Sequence, residues 1–465
     1  MATLPRPTYW LEHPLKSQDL TTGSIVKHVR NLALPSSIGL FFQTMFNVVD
    51  SYYAGKISTQ ALAALALSFP VFLGIIAVSS GLSRGSSALI SNAIGAGDKD
   101  RQRRFIAQSL SIGVLVSILV TIAGMFLTRP VFQVLGAEGE YLELAMAYMI
   151  PVFLGAIFFV LINLCNAILV ATGDSLTFGK VLVGGFFLNL ALDPWFLYGG
   201  WGLPAMGIAG IAWATVAIQG AGCVLMLTVV RSRGLVDFRQ WRDFLPDRKV
   251  YFEIAEQAVP ASFNIMQVVI SFFVITYFLK SYGEATVASF GVTTRIEQIV
   301  LLPTLGLSAA ISALVGQNNG AGRIDRISET MKVSIVAGLA INLTMSGLMF
   351  VFARQMMGVF TSDPEVIDIG VTCLYVIMPV QWSYIMTSVH LSMLQAMKRP
   401  MYGFFESMFR KVILPVPLFA LFVWRWETPV EWIWYAVAVT NVFMTGVTVF
   451  WGQRVLRAIA GGETR

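Results

Sequence analysis

GLSRGSSALISNAIGAGDKDR, residues 81–101, lies over GLSAAISALVGQNNGAGRIDR, residues 306–326, when the chain is slid along itself by 225 positions. There are eleven identities in twenty-one positions and no gap. Chance would give about one or two, so an internal repeat is the first thing to explain. The same offset sets Pro35 on Pro260, and a slip of one residue aligns Gly179 with Gly403. The chain is one design written twice.

The medium follows from composition. The 465 residues are 56% hydrophobic and 12% charged, with mean hydropathy +0.71, too apolar for a soluble domain. Apolar stretches of about 18–30 residues alternate with short polar breaks, the pattern of helical membrane spans; a membrane barrel would show short alternating segments instead. Twelve spans are expected, near 31–54, 60–92, 105–128, 141–171, 176–199, 207–230, 253–280, 286–316, 331–353, 367–397, 401–424 and 430–453. The fold class is therefore an all-α integral membrane protein, with twelve transmembrane helices in two parallel six-helix repeats around a central cleft. Six spans per repeat is an even number, so both copies start on one side of the membrane.

Loop charge sets the orientation. Lys99, Arg101, Arg103 and Arg104, then Arg231 to Lys249, then Arg323 and Arg326, then Lys398 and Arg399 fall in alternate loops. The loops between them are poor in bases and carry Glu138, Glu140, Asp363 and Glu365. A multi-pass protein of the cell (inner) membrane with both termini cytoplasmic is expected. The organisation reads as a cytoplasmic segment and interfacial lead-in over 1–30, a bundle over 31–230, a linker over 231–250, a second bundle over 251–456 and a tail over 457–465. Residues 1–20 are polar and lack the apolar core of a signal peptide. Cys165, Cys223 and Cys373 sit inside spans at no metal or redox spacing.

The doubled GAG loop, GQNNGAG over 316–322, Pro35 followed by VVDSYYAG, and NLALDPWFLY over 189–198 together resemble the multidrug and toxic compound extrusion (MATE) transporters. The resemblance runs from about residue 24 to 456. It implies a secondary active exporter of organic, often cationic, compounds, antiporting inward H⁺ or Na⁺ by alternating access. One pattern in that family places coupling acids in the seventh and tenth spans; here those places hold roughly Val268 and Tyr384. The other, DinF-like, concentrates polar groups in the first bundle, and this chain is similar to it. The resemblance then implies a coupling-ion site of Asp50, Tyr148, Asn163, Asn189, Asp193 and Thr215.

Physical reasoning meets part of that set unaided. Asn189 and Asp193 are i and i+4 and share a helix face. Pro194 has no N–H, so the carbonyl of Leu190 lacks its helical partner beside Asp193. Asp50 and Asp193 each lie near the outer end of an outward-running span, at similar depth. Two carboxylates in a low-dielectric pocket cannot both ionise cheaply, so the pair is expected to hold a proton; a hard cation among their oxygens is the alternative. An acid that merely pairs across helices to hold the bundle is the plainer reading, set against the rule that intramembrane acids are functional. For Tyr148, Asn163 and Thr215 taken singly, interhelical hydrogen bonding is the plainer reading.

A second cluster, Arg295, Glu297, Glu406, Arg410 and Lys411, is expected in the second bundle, with Arg84 of the second span nearby. It is either a salt-bridged structural network or a basic cleft for anionic cargo. The functional alternative to multidrug antiport is accordingly a flippase or exporter of an anionic or lipid-linked metabolite. An enzyme is not expected: His13, His28 and His390 are scattered, and no HExxH, GxSxG or Walker pattern is present. No cofactor is expected beyond the coupling ion, and no nucleic-acid partner. Small amphipathic molecules and the lipid bilayer are the expected partners, and the chain is expected to be a monomer.

Overall fold

The computed structural model describes residues 18–200 and 202–461. Parts of the lead-in and tail (residues 1–17 and 462–465) lie outside the described residues. Among the described residues ten helices are long and apolar enough to cross a membrane, and two bent helix pairs, each taken as one span, bring the spans to twelve. The first half holds α1 (Ile25–Ile57), α2 (Thr59–Gly95), α3 (Lys99–Val134), the pair α4 (Gly139–Leu154) and α5 (Ala156–Ala171), α6 (Leu176–Tyr198) and α7 (Ile208–Ser232). The second holds α8 (Arg248–Leu279), α9 (Glu284–Gly320), α10 (Ile324–Val351), a short α11 (Ala353–Phe360), the pair α12 (Pro364–Ile377) and α13 (Trp382–Ala396), an eleventh span beginning with α14 (Met401–Met408) and continuing through α15 (Pro415–Ala420), and α16 (Glu431–Ala460).

The repeat extends to its irregularities. The fourth span bends by 49° between α4 and α5, and the tenth by 50° before α13. Pro151 precedes the first break and Pro379 the second, each removing a helical hydrogen bond where the chain turns. In the eleventh span Pro415 and Pro417 lack the N–H groups that would continue the ladder. Beside them Phe409–Ile413 and Leu421–Arg425 wind as π-helix, with Leu414 N donating to Phe409 O at 3.0 Å.

The loops rich in Lys and Arg share one end of the molecule, here called the basic face. There Arg101 pairs with Glu253 at 2.8 Å, Arg103 with Asp243 at 2.6 Å and Arg104 with Asp247, fastening the start of α3 to the linker and α8. The glycines that bring the two bundles' backbones together all lie in the halves nearest this face. A Cβ on Gly85 would come 2.9 Å from Ala258 N, one on Gly95 1.8 Å from Gln317 O, and one on Gly320 2.0 Å from Asn92 O. The motif whose doubling reveals the repeat is therefore the seam between its copies. Asn92 donates to Ala396 O at 2.7 Å, and Asn319 donates to Asn92 at 2.6 Å.

A strap crosses the same seam. Ser24 caps α1, accepting from Lys27 N. Ahead of it, Gln18 N donates to Thr172 O at 3.1 Å, and Leu20, fully buried, donates its N–H to Gln317 Oε1 at 3.0 Å. Arg326 donates to the carbonyls of Leu20 and Thr22 at 3.2 Å and of Gly23 at 3.0 Å. The segment expected only as an interfacial lead-in thus bonds to both bundles.

Candidate functional site

α1 and α6 run side by side in constant register. A Cβ on Gly179 would lie 2.8 Å from Pro35 O, and one on Gly39 would lie 3.1 Å from Gly179 Cα, so their backbones touch near the basic face. Further along the same pair, Asp50 meets Asn189 and Asp193 at offsets within one residue of those. Asn189 Nδ2 donates to Asp50 Oδ1 at 3.0 Å and to Asp193 Oδ1 at 2.8 Å. From α7, Thr215 Oγ1 reaches Asp50 Oδ2 at 3.4 Å, and its own carbonyl partner Ile211 at 3.1 Å.

Asn189 and Asp193 have no exposed surface, and Asp50 is 4% exposed. Asp193 Oδ2 and Asn189 Oδ1 find no hydrogen-bond partner among the described residues. The two carboxyl groups are close enough to interact directly, and no basic side chain among the described residues acts on either. Two buried carboxyl groups thus share one amide and the Thr215 hydroxyl as donors, and ionising both there is costly. Tyr148 is buried within electrostatic reach of both carboxylates. Asn163 is not brought into the network. Its amide donates to Phe159 O, one turn back on its own helix, at 2.9 Å.

The second cluster divides. Glu406 and Arg410 pair at 2.5 Å, Arg410 also donates to Asn441 at 3.3 Å, and its guanidinium lies 5.2 Å from the centre of the Tyr384 ring. Lys411 reaches Asn264 O at 3.4 Å. Glu297 lies apart from these bases and accepts from Gln381 at 3.2 Å. Arg295 is exposed. Gln381 and Tyr384 are one turn apart at the break of the tenth span, so that break stands between the two groups. Sequence had noted Tyr384 only as the residue in place of a tenth-span acid and had not marked Gln381; a polar pair beside a mid-span proline is the signal that could have found them.

Two six-span repeats meeting along a basic-face seam, with a buried acid pair in one and buried bases in the other, define a membrane transporter. The MatE family model matches residues 35–195 and 260–421, once in each repeat, and the chain belongs to that family. It is 26% identical to a "FAD transporter" of Shewanella oneidensis over 95% of this chain and 97% of that protein. It is 27% identical to the "Probable multidrug resistance protein NorM" of Thermotoga maritima, over 74% of each chain. A MOP superfamily transporter from Pyrococcus furiosus, described as having a "reverse polarity of binding pocket", superposes with a TM-score of 0.87 at 26% identity, covering 95% of this chain and 98% of its own.

Proposed function

We propose that this protein is an ion-coupled exporter of amphipathic organic compounds in the cell inner membrane. Its basic face is cytoplasmic, and inward H⁺ or Na⁺ drives it by alternating access. The observation that carries the proposal is the single amide of Asn189 shared by carboxylates on two helices. With a proton between the carboxyl groups, one amide and one hydroxyl suffice for the remaining charge. Without it, Asp50 and Asp193 repel across the α1–α6 contact, and α1 also packs on α9 of the other bundle. Binding of the ion therefore selects a packing of α1 on α6, and the cargo is exported when it favours the opposite packing. A cation would instead use the oxygens of Asp50, Asp193, Asn189 and Thr215.

The test uses inside-out vesicles carrying a standing pH gradient and a pH-reporting dye, without Na⁺. Added cargo collapses the gradient in wild type and not in Asp50→Asn. Equal collapse in both would remove Asp50 from coupling.

A second reading keeps the coupling pair and changes the cargo to an anionic or lipid-linked metabolite. Similarity to a FAD transporter along nearly the whole chain supports it, as do bases deep in the second bundle.

A further inference from the structure

Beside the strap, the basic face carries a recess of about 300 Å³ that the coupling site does not use. Gln18 of the strap forms one wall, and Arg30, Asn31, Leu34 and Pro35 of α1 form a second. The turn from Thr172 to Leu176, between α5 and α6, forms a third, with Arg233 from the end of α7 beside it. The strap wall is close-packed on that turn. Gln18 N donates to Thr172 O at 3.1 Å, and a Cβ on Gly173 would lie 2.9 Å from Gln18 Cβ.

The charges of this lining do not balance. Asp174 is buried, and its oxygens are filled. Oδ1 accepts from Thr177 N at 3.0 Å, and Oδ2 from Thr177 Oγ1 and from Arg233 at 2.5 Å each. That pair cancels, and Arg30 is left over. Neither its guanidinium nor the Asn31 amide makes a hydrogen bond or ion pair with any described residue. No acid precedes Asp50 on α1. On a convex surface a solvated interfacial arginine would need no further account. Here it lines a concavity together with a second guanidinium, which spends one nitrogen on Asp174 and Thr177. The same lining is part apolar: Leu34 is 57% exposed and Leu176 47%. Within it α1 passes from its polar start to its apolar run, so the recess lies at the edge of the hydrocarbon layer.

We propose that this recess holds the phosphodiester headgroup of an anionic phospholipid from the leaflet at the basic face. Arg30 offers parallel N–H groups to the phosphate, and the Asn31 amide and the remaining nitrogens of Arg233 stand beside it. The acyl chains leave over Leu34 and Leu176 into the bilayer. One surplus base matches one phosphodiester. Because the strap is a wall of the recess and also bonds to the second bundle, opening the basic face takes that wall away. A lipid held by the complete recess therefore favours the closed basic face. Nothing in the site depends on the exporter reading.

The experiment is native mass spectrometry of the full chain, titrated in detergent with dioleoylphosphatidylglycerol or dioleoylphosphatidylcholine. The first phosphatidylglycerol is expected to bind about tenfold tighter than the first phosphatidylcholine. Arg30→Gln removes most of that preference, and Arg30→Lys keeps part of it. Other bases crowd this face, so Lys27→Gln is the control. Lys27 is exposed one turn earlier on α1 and outside the recess, and its loss is expected to leave the preference intact. Equal affinity for the two lipids, an unchanged preference in Arg30→Gln, or the same loss in both variants overturns the site. Glycerol 1-phosphate binding as tightly as the lipid would overturn the choice of a lipid over a soluble phosphate. The link to closure is read from Ser91→Cys, buried in the seam, labelled with a water-soluble maleimide in nanodiscs. Phosphatidylglycerol is expected to slow labelling relative to phosphatidylcholine alone, and Arg30→Gln to abolish the difference. Lipid binding without that difference overturns the link to the strap.

Discussion

Asn189 has one donor group and spends it on two acids. Asn189→Ala leaves two buried carboxylates with the Thr215 hydroxyl as their remaining donor among the described residues, and gradient collapse in the vesicle assay is expected to fall more than tenfold. Thr215→Val is expected to cost about threefold or less in the same assay, because the hydroxyl sits at 3.4 Å from Asp50 and already has Ile211 O. The pairing of Asn189 with Asp193 was legible, since the i, i+4 spacing fixes a shared face. The placement of Asn163 was not. Its span was known, but rotation about the helix axis was not, and its amide satisfies itself on Phe159 O. Grouping Glu297 with the bases of the eleventh span failed for a similar reason: depth along a span says nothing of which side of a neighbour a residue faces.

Between elements, small residues decide. Gly179 admits Pro35 of α1, and a Cβ there would sit 2.8 Å from a carbonyl oxygen that belongs to a helix backbone and cannot swing aside. Gly179→Val is expected to destabilise the protein by about 1–3 kcal/mol, read as a lower midpoint in thermal unfolding in detergent. Gly184→Ala on the same helix, where nothing lies within 4 Å, serves as the control and is expected to leave the midpoint unchanged or slightly higher. The twelve spans were legible because length and hydropathy register them directly. Their two breaks were visible only as prolines, because a bent span is as apolar as a straight one. The strap was invisible to hydropathy: residues 18–24 are held by bonds from Gln317, Asn318 and Arg326 to their backbone, which carries no side-chain signature.

For the whole molecule, the seam and strap make the basic face the closed end, and opening it requires several bonds to yield together. Arg326→Ala removes three carbonyl contacts to the strap. It is expected to raise the reactivity of a cysteine placed at Ser91, which is buried against Gly316 in the seam, toward a water-soluble maleimide added at the basic face, against the same cysteine in an otherwise native chain. Unchanged labelling would mean that the strap is a passenger of the seam and not a fastening.

The two halves of the duplication have diverged: the first buries the Asp50–Asp193 pair, the second the Glu406–Arg410 ion pair with Lys411 beside it. That division has an electrical meaning. An anion leaving the cell while a proton enters moves two charges in the same direction, both down an inside-negative potential. At 100 mV this amounts to about 4.6 kcal/mol per cycle before any pH difference is counted. A cation expelled for one proton would move no net charge and would draw nothing from the voltage. For a one-proton cycle, whether transport in vesicles responds to a potassium diffusion potential at zero pH gradient therefore separates an anionic cargo from a monovalent cationic one without knowing what the cargo is.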